Sequence, residues 1–340
     1  MQKKAILLLA PIFFLMAACQ EPFKKGEQGL EYKIISEGKG KQLKFGNFMQ
    51  IHVAQIYNGE DKDSVLTNSR DMGMPMIEIL DSAMTPMEYY KILIQMKKGD
   101  SLVIRTSVDS LMKKMPGGLP PFMKKGNYLL TTVKLLNVFD KKEQADSARS
   151  ADMMAAQMAE EKRATEQLRK DDRLLNEYFR KNKINPSKGA MGTYVQIITP
   201  GNGALIDTSV VVKTNYTGKT LKGVTFDSNT DSAFNHVEPF LVNMTNDMQL
   251  GQSVIRGWND GLKLLSEGAK AKFFIPSPLA YGKNGAGDKI GPNEILVFDI
   301  EVVDVLSKAE AKAEIDAKRN KMMDDQKRVQ DSLKKAEAGK

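Results

Sequence analysis

The segment Val254-Ile255-Arg256-Gly257-Trp258-Asn259-Asp260-Gly261-Leu262-Lys263-Leu264-Leu265 contains the only tryptophan of the 340-residue chain. Other short segments share its character, because each sets an aromatic residue beside a turn signal or a strand end. They are Tyr216-Thr217-Gly218, Thr225-Phe226-Asp227-Ser228, Ala280-Tyr281-Gly282 and Val297-Phe298-Asp299. We expect the five aromatic side chains of these segments to line one concave apolar pocket, which Asp227 enters behind Phe226. The alternative is an ordinary core, where aromatic residues usually lie.

Outside these segments the chain alternates between strand-like and helix-like patterns. Apolar residues recur with period two, between Gly and Pro turns, from Tyr32 to Phe139 and from Tyr194 to Leu306, which predicts two antiparallel sheets of short strands. Between them, residues 141–183 contain no Gly or Pro, and this composition favours one long helix. Its apolar positions are sparse until the last two turns, so we expect a solvated spacer whose end docks on the region that follows. Residues 307–340 are charged and predict a solvated helix rather than a coiled coil.

Composition sets further limits. A length of 340 residues is typical of about two domains. A net charge of +8 does not by itself indicate nucleic-acid binding, and we expect none. One Cys and two His exclude a disulfide framework and a Cys/His zinc site, so no metal or other cofactor is predicted. His52 and His236 have no evident partners in the sequence, and we expect both to be structural or solvated.

The first 19 residues have a basic start, an apolar run from Ala5 to Met16, and small residues before Cys19. The run is shorter than the roughly 20 residues that cross a bilayer, which indicates a secretory signal. With Met16-Ala17-Ala18 before it, Cys19 resembles the end of a bacterial lipobox; the alternative is an ordinary signal with an unrelated cysteine. The resemblance implies cleavage before Cys19, lipid attachment there and a membrane anchor outside the cytoplasm. Gln20 favours the outer membrane by the sorting pattern of such lipoproteins, with periplasmic or surface exposure left open.

The order and spacing of the aromatic segments resemble the FKBP-type peptidyl-prolyl cis-trans isomerases over about residues 193 to 306. The resemblance implies an antiparallel half-barrel wrapped on a short helix, for which Trp258 to Leu265 is the matching segment. It also implies binding of macrolide inhibitors and of proline-containing unfolded or nascent secreted proteins. Two places depart from the family pattern, since the segment between Phe240 and Val254 is longer and the loop 283–291 keeps only Ile290 of an apolar tip.

Site residues follow from the resemblance, position by position. Trp258 would be the pocket floor, and the backbone N–H of Ile255 and the hydroxyl of Tyr281 would bind substrate carbonyls. Asp227, held by Tyr216, would lie near the twisting amide. The remaining wall and substrate-binding positions are Phe226, Phe240, Val254, Ile290 and Phe298.

The first strand-rich region looks like a degenerate repeat of the same fold. Tyr57-Asn58-Gly59 resembles Tyr216-Thr217-Gly218, but Leu66-Thr67 stands where Phe226-Asp227 would be, and no Trp or Ala-Tyr-Gly segment occurs there. We therefore expect a non-catalytic FKBP-like domain that serves binding or homodimerisation.

The sequence thus predicts an α+β protein of two FKBP-like half-barrels joined by a long helix, with a helical tail. Its predicted parts are a signal peptide (1–18), a tether (19–29), a degenerate domain (30–139), a helical linker (140–186), a catalytic domain (190–306) and a charged tail (307–340). The predicted activity is isomerisation of X–Pro bonds in extracytoplasmic proteins. The alternatives are a periplasmic chaperone whose isomerase activity is incidental, or a scaffold.

Overall fold

The computed structural model describes residues 22–27, 30–36, 40–59, 62–83, 85–114 and 118–338, with side chains described as far as residue 330 except at residue 114. The predicted signal peptide and Cys19 lie outside the described residues. The chain divides into two compact units, residues 1–160 and 161–340.

The first unit contains seven strands and two short helices among its described residues. They are β1 (Lys24–Lys25), β2 (Glu31–Ile35), β3 (Phe48–Asn58), β4 (Asp63–Asn68), β5 (Met76–Ile79), α1 (Met87–Leu93), β6 (Ser101–Ser107), α2 (Val108–Lys114) and β7 (Tyr128–Phe139). The predicted linker helix follows as α3 (Lys142–Asn182), whose first half belongs to this unit and whose second half belongs to the next.

The second unit repeats this plan. Its elements are β8 (Ser187–Lys188), β9 (Tyr194–Thr199), β10 (Val211–Thr220), β11 (Thr225–Ser228), β12 (Phe240–Asn243), α4 (Arg256–Leu262), β13 (Lys270–Ile275), β14 (Leu296–Leu306) and α5 (Lys308–Ala338). The central helix was expected from Trp258 to Leu265, but it begins at Arg256 and ends at Leu262. It ends there because the backbone N–H groups of Leu264 and Leu265 donate to the carbonyls of Gly261 and Leu262, three residues back rather than four, which closes the last turn.

The two sheets have the same topology. The first has the order β1-β2-β6-β7-β3-β4 with β5 beside β3, and the second has β8-β9-β13-β14-β10-β11 with β12 beside β10. All described strand pairs are antiparallel, and in each unit the short helix enters between the fifth and sixth strands. The predicted α+β class, with two antiparallel half-barrels, a long helix and a C-terminal helix, is confirmed.

Helix α4 lies directly against the sheet of the second unit. A Cβ atom on Gly261 would lie 2.5 Å from the ring of Phe273, and one on Gly257 would overlap Ile275. Both of these sheet residues are fully buried. The close approach of helix and sheet therefore requires a residue without a side chain at two positions one helical turn apart.

The end of α3 docks on the second unit, as the sequence predicts. Leu175 and Phe179 are buried against Tyr194 and Phe274. One turn earlier, the buried Asp171 accepts hydrogen bonds from the backbone N–H and the hydroxyl of Ser277, at 2.7 and 2.6 Å. The docked segment is thus fixed by an apolar contact and by a satisfied buried carboxylate.

The beginning of α5 is not solvated, contrary to expectation. Ala311 is fully buried beside Val211, Leu250 and Leu306. Farther along the helix the apolar side chains are exposed, as at Met322. The small side chain of Ala311 lets the first turns of a highly charged helix lie against the sheet.

The alanine substitution Gly261→Ala should destabilise the second unit by about 1–3 kcal/mol, because the added methyl group overpacks the contact with Phe273. At an exposed helical position the same change would stabilise by about 1 kcal/mol. Trp258 is the only tryptophan, so its fluorescence during denaturant unfolding reports on this unit. The exposed Lys263→Ala is the control, and a Gly261→Ala variant as stable as the parent would contradict the argument.

Candidate active site

A cleft of about 1280 Å³ opens on the second unit, and it gathers nine of the ten residues predicted for the pocket. The nine are Tyr216, Phe226, Asp227, Phe240, Val254, Ile255, Trp258, Tyr281 and Phe298. Ile290, predicted as a wall residue, is not among the lining residues. Its side chain is 8 % exposed and packs in the core, where exchanged backbone hydrogen bonds with Ala286 fold the loop inward.

Trp258 lies at the centre of the aromatic cluster. Its ring meets those of Tyr216 and Phe298 edge-to-face, with centroids 5.2 Å apart in both cases, and meets Phe240 at 6.3 Å. Phe226 contacts Phe298 at 5.5 Å. Trp258 is only 3 % exposed and belongs to the main core of the unit. The aromatic residues therefore belong both to the expected pocket and to the core that was the alternative, because one face of the core is the floor of the cleft.

Asp227 brings a charge to this apolar surface. Its Oδ2 atom accepts a hydrogen bond from the Tyr216 hydroxyl at 2.7 Å, and its Oδ1 atom accepts one from the Ser228 backbone N–H at 2.9 Å. The backbone N–H of Tyr216 in turn donates to the buried Asn229 side chain at 2.6 Å. The carboxylate is thus oriented by Tyr216 of β10 and by Ser228 at the end of β11, and Tyr216 is itself held by Asn229.

The negative charge of Asp227 contributes to raised pKa values of two tyrosines. Burial, and then the hydrogen bond to Asp227 and its negative charge, raise the pKa of Tyr216 far above its usual value. Burial and the same charge raise the pKa of Tyr281, whose side chain is 42 % exposed at the rim. Both phenols therefore stay protonated at neutral pH and can donate hydrogen bonds.

The backbone of Ile255 lies at the start of α4. It has extended dihedral angles, φ −57° and ψ 146°, and its carbonyl accepts the N–H of Trp258. N–H groups at the first turn of a helix have no partner within the helix, and they point outward from its end. The site therefore offers backbone donors beside the aromatic floor.

Twelve of the residues that line the cleft were not predicted from the sequence, among them His236, Ile315 and Lys318. His236 is not simply solvated, because its Nε2 atom lies 2.8 Å from Asp227 Oδ1. Ile315 and Lys318 of α5 also line the cleft, and Lys318 pairs with Glu238 at 3.2 Å. No local pattern marks them, since their positions depend on how a loop and the C-terminal helix fold back. His52 contacts the Ser69 hydroxyl at 3.2 Å in the first unit, as expected for a structural histidine.

The register of the two sheets shows which residues of the first unit are equivalent to the pocket residues. In both sheets a bulge leaves one residue unpaired, Phe226 in β11 and Leu66 in β4. The expected match of Leu66-Thr67 with Phe226-Asp227 is confirmed by this register. The expected match of Tyr57 with Tyr216 is wrong, because the shared strand pairing places Val53 at that level.

Other pocket positions also differ in the first unit. Strand pairing sets Met76 at the level of Phe240 and Thr131 at the level of Phe298. The first unit therefore has the same backbone plan with an aliphatic or polar residue at most positions where the second has an aromatic or acidic one.

An antiparallel half-barrel wrapped on a short helix, with an aromatic cleft and one oriented carboxylate, defines the class of domain to which the second unit belongs. The family model of FKBP-type peptidyl-prolyl cis-trans isomerases matches residues 205–303. A probable FKBP-type peptidyl-prolyl cis-trans isomerase of Haemophilus influenzae is 34% identical over 47% of this chain and 61% of its own length. FkpA of Escherichia coli K12 is 36% identical over 48% of this chain and 56% of its own length.

The outer membrane protein MIP of Legionella longbeachae is 33% identical over 58% of this chain and 75% of its own length. The crystal structure of FkpA from Escherichia coli aligns at 31% identity over 49% of this chain and 72% of that chain, with a TM-score of 0.33. The chain belongs to the FKBP-type peptidyl-prolyl cis-trans isomerase family. It spans less than two thirds of the Haemophilus and Escherichia curated relatives.

Replacing Asp227 by Asn should lower the pKa values of Tyr216 and Tyr281, because the neutral amide no longer opposes formation of a phenolate. Alkaline titration followed by NMR of isotope-labelled tyrosine measures both groups separately. The control is Asp231→Asn, at an exposed position in the neighbouring loop. It removes the same negative charge from the chain but not the hydrogen bond between Asp227 and Tyr216. Equal effects of the two substitutions would show that Asp227 does not act locally.

Proposed function

We propose that the second unit catalyses cis-trans isomerisation of X–Pro peptide bonds in the cleft around Trp258. The observation that carries this proposal is the aromatic floor with the carboxylate of Asp227 fixed at its edge. Family membership supports the activity, and the cleft supplies the residues for it.

The chemistry of the reaction matches the groups present. Rotation about an amide has a barrier of about 18–20 kcal/mol because twisting destroys its resonance, while cis and trans X–Pro bonds differ by only about 1 kcal/mol. No bond breaks, so the protein must bind the twisted amide more tightly than the planar one. The apolar floor removes water from the amide carbonyl, which favours the less polar twisted form.

Donors at the rim have a second role. The backbone N–H of Ile255 and the hydroxyl of Tyr281 bind carbonyl groups on either side of proline and hold the chain while the bond turns. Asp227, oriented by Tyr216, contributes a fixed charge beside the twisting amide, and preorganised charge costs no reorganisation during the reaction. Phe226, Phe240, Val254 and Phe298 enclose the proline ring.

The first unit is proposed to be non-catalytic. It shares the topology of the second unit, but Leu66 and Thr67 occupy the register positions of Phe226 and Asp227. The matched positions provide an internal comparison in the intact chain.

In the full-length protein, Phe226→Ala should lower kcat/KM for a proline-containing peptide by at least about tenfold. Truncating a half-buried aromatic wall removes roughly 1.5–3 kcal/mol of apolar contact, and about 1.4 kcal/mol corresponds to tenfold. Asp227→Ala should have a comparable effect. Leu66→Ala and Thr67→Ala, the matched changes in the first unit, should leave the rate unchanged, as measured in a protease-coupled or NMR exchange assay.

The proposal fails if the parent gives no rate above the uncatalysed reaction. It also fails if the first-unit variants reduce the rate as much as the second-unit variants do. A macrolide inhibitor that competes with the peptide would locate both ligands in the cleft, with quenching of Trp258 fluorescence as the readout.

We further propose an envelope location, with proline-containing secreted proteins as substrates. Support comes from the secretory pattern before Cys19 and from the relative named as an outer membrane protein. Within the described part of the chain, no helix has the length and apolarity needed to cross a bilayer. We propose that a lipid at Cys19 attaches the protein to the membrane.

Cys19→Ser should abolish incorporation of labelled fatty acid and release the protein from the membrane fraction, because Cys19 is the only cysteine. Gln20→Ala changes the neighbouring residue and should keep the label. Incorporation of labelled fatty acid into the Cys19→Ser protein, or no incorporation into the parent protein, would refute lipid attachment at this residue.

A further inference from the structure

His236 contacts both members of the Tyr216–Asp227 pair. Its Nε2 atom lies 2.8 Å from Asp227 Oδ1, and its ring lies 6.5 Å from the ring of Tyr216 at an interplanar angle of 28°. An ionised carboxylate can only accept hydrogen bonds, so Nε2 carries the hydrogen in this contact. The imidazole therefore donates to Asp227 in its neutral form and in its protonated form.

The loop that carries His236 is fastened on both sides. A single turn of 3₁₀ helix, Ser232–Phe234, precedes it, and Asn235 then adopts a positive φ of 58° that Asn tolerates well. On the other side, the side chain of Asn229 donates to the backbone carbonyl of Glu238 at 2.9 Å. The contact between His236 and Asp227 is thus built into the loop, although the imidazole itself is about half exposed.

The charged and titratable groups around His236 come from every element that borders this part of the cleft. They are Tyr216 of β10, Asp227 of β11, Asp231 and Glu238 of the following loop, Tyr281 and Lys289 of the loop between β13 and β14, and Lys318 of α5. Glu238 and Lys318 form an ion pair at 3.2 Å, and the ammonium group of Lys289 lies over the ring of Phe234.

We propose that His236 is a specificity-determining residue. A protonated His236 compensates the negative charge of the Asp227 carboxylate, and this changes the net charge that the rim of the cleft presents to the residue beside proline. The inference rests on the proposed isomerase function. With a neutral imidazole the pair carries one negative charge, which favours a basic residue next to proline. With a protonated imidazole the pair is neutral, and that preference disappears.

The direction of this change in substrate preference follows from Coulomb's law. A cationic substrate side chain within several ångströms of the pair loses an attraction when His236 gains a proton, whereas an uncharged side chain of the same size does not. For partly exposed charges this difference corresponds to roughly three- to tenfold in affinity or rate at moderate salt. The effect should shrink as salt is added.

The test uses two peptides that differ only in the residue before proline, lysine in one and acetyl-lysine in the other. In the full-length parent, the lysine peptide should be preferred by about three- to tenfold at about pH 8 and show little preference at about pH 5. His236→Gln keeps a neutral donor for Asp227, so its preference should persist at both pH values. His52→Gln removes the other histidine of the chain and should behave as the parent does.

Both peptide binding, by Trp258 fluorescence, and isomerisation rate are measured. A pH-dependent preference in binding without any isomerisation would reject the proposed function and retain the role of His236. Isomerisation with a preference that is independent of pH, or that changes with pH equally in His236→Gln, would overturn the role of His236 and retain the function. Unchanged Trp258 emission from the free His236→Gln protein establishes that the cleft is intact.

Discussion

The close approach of helix α4 to its sheet is the constraint on which the second unit depends. Gly257 and Gly261 give the helix a face without side chains, and Phe273 and Ile275 fill the space that Cβ atoms would need. Trp258, next to one of these glycines, is thereby pressed against the sheet among Tyr216 and Phe298. A helix held farther away would leave the ring of Trp258 without these edge-to-face contacts, and the cleft would lose its floor.

The cleft combines an apolar aromatic floor with a charged carboxylate at its rim. Its floor is part of a densely packed aromatic core, while its rim holds Asp227 among three donors, from Tyr216, Ser228 and His236. The carboxylate stays partly exposed, so the protein avoids the large cost of burying an isolated charge. Fixed hydrogen bonds nevertheless orient it, and the proposed isomerisation needs a rigid charge of this kind more than it needs a reactive group.

The two units show how much of a fold is independent of its site. Both sheets have one topology, and both have a bulge at the same place in the strand pairing. The alternation of apolar residues that builds a sheet tolerates Val53 or Tyr216, and Leu66 or Phe226, at equivalent positions. Aromatic size and one carboxylate are then what distinguish the cleft of the second unit from the corresponding face of the first.

Strand alternation, helix composition and the aromatic segments are local patterns, so they predict most elements and the aromatic part of the cleft without knowledge of tertiary contacts. The match of Tyr57 with Tyr216 was wrong because local similarity cannot fix strand register, which is set by pairing across the sheet. Three other features depend on the folded chain: Ile290 turns into the core, α5 borders the cleft at Ile315 and Lys318, and His236 reaches Asp227. Each of these depends on where a loop or helix returns to the domain after many residues, and that is settled by packing and hydrogen bonding between distant parts of the chain.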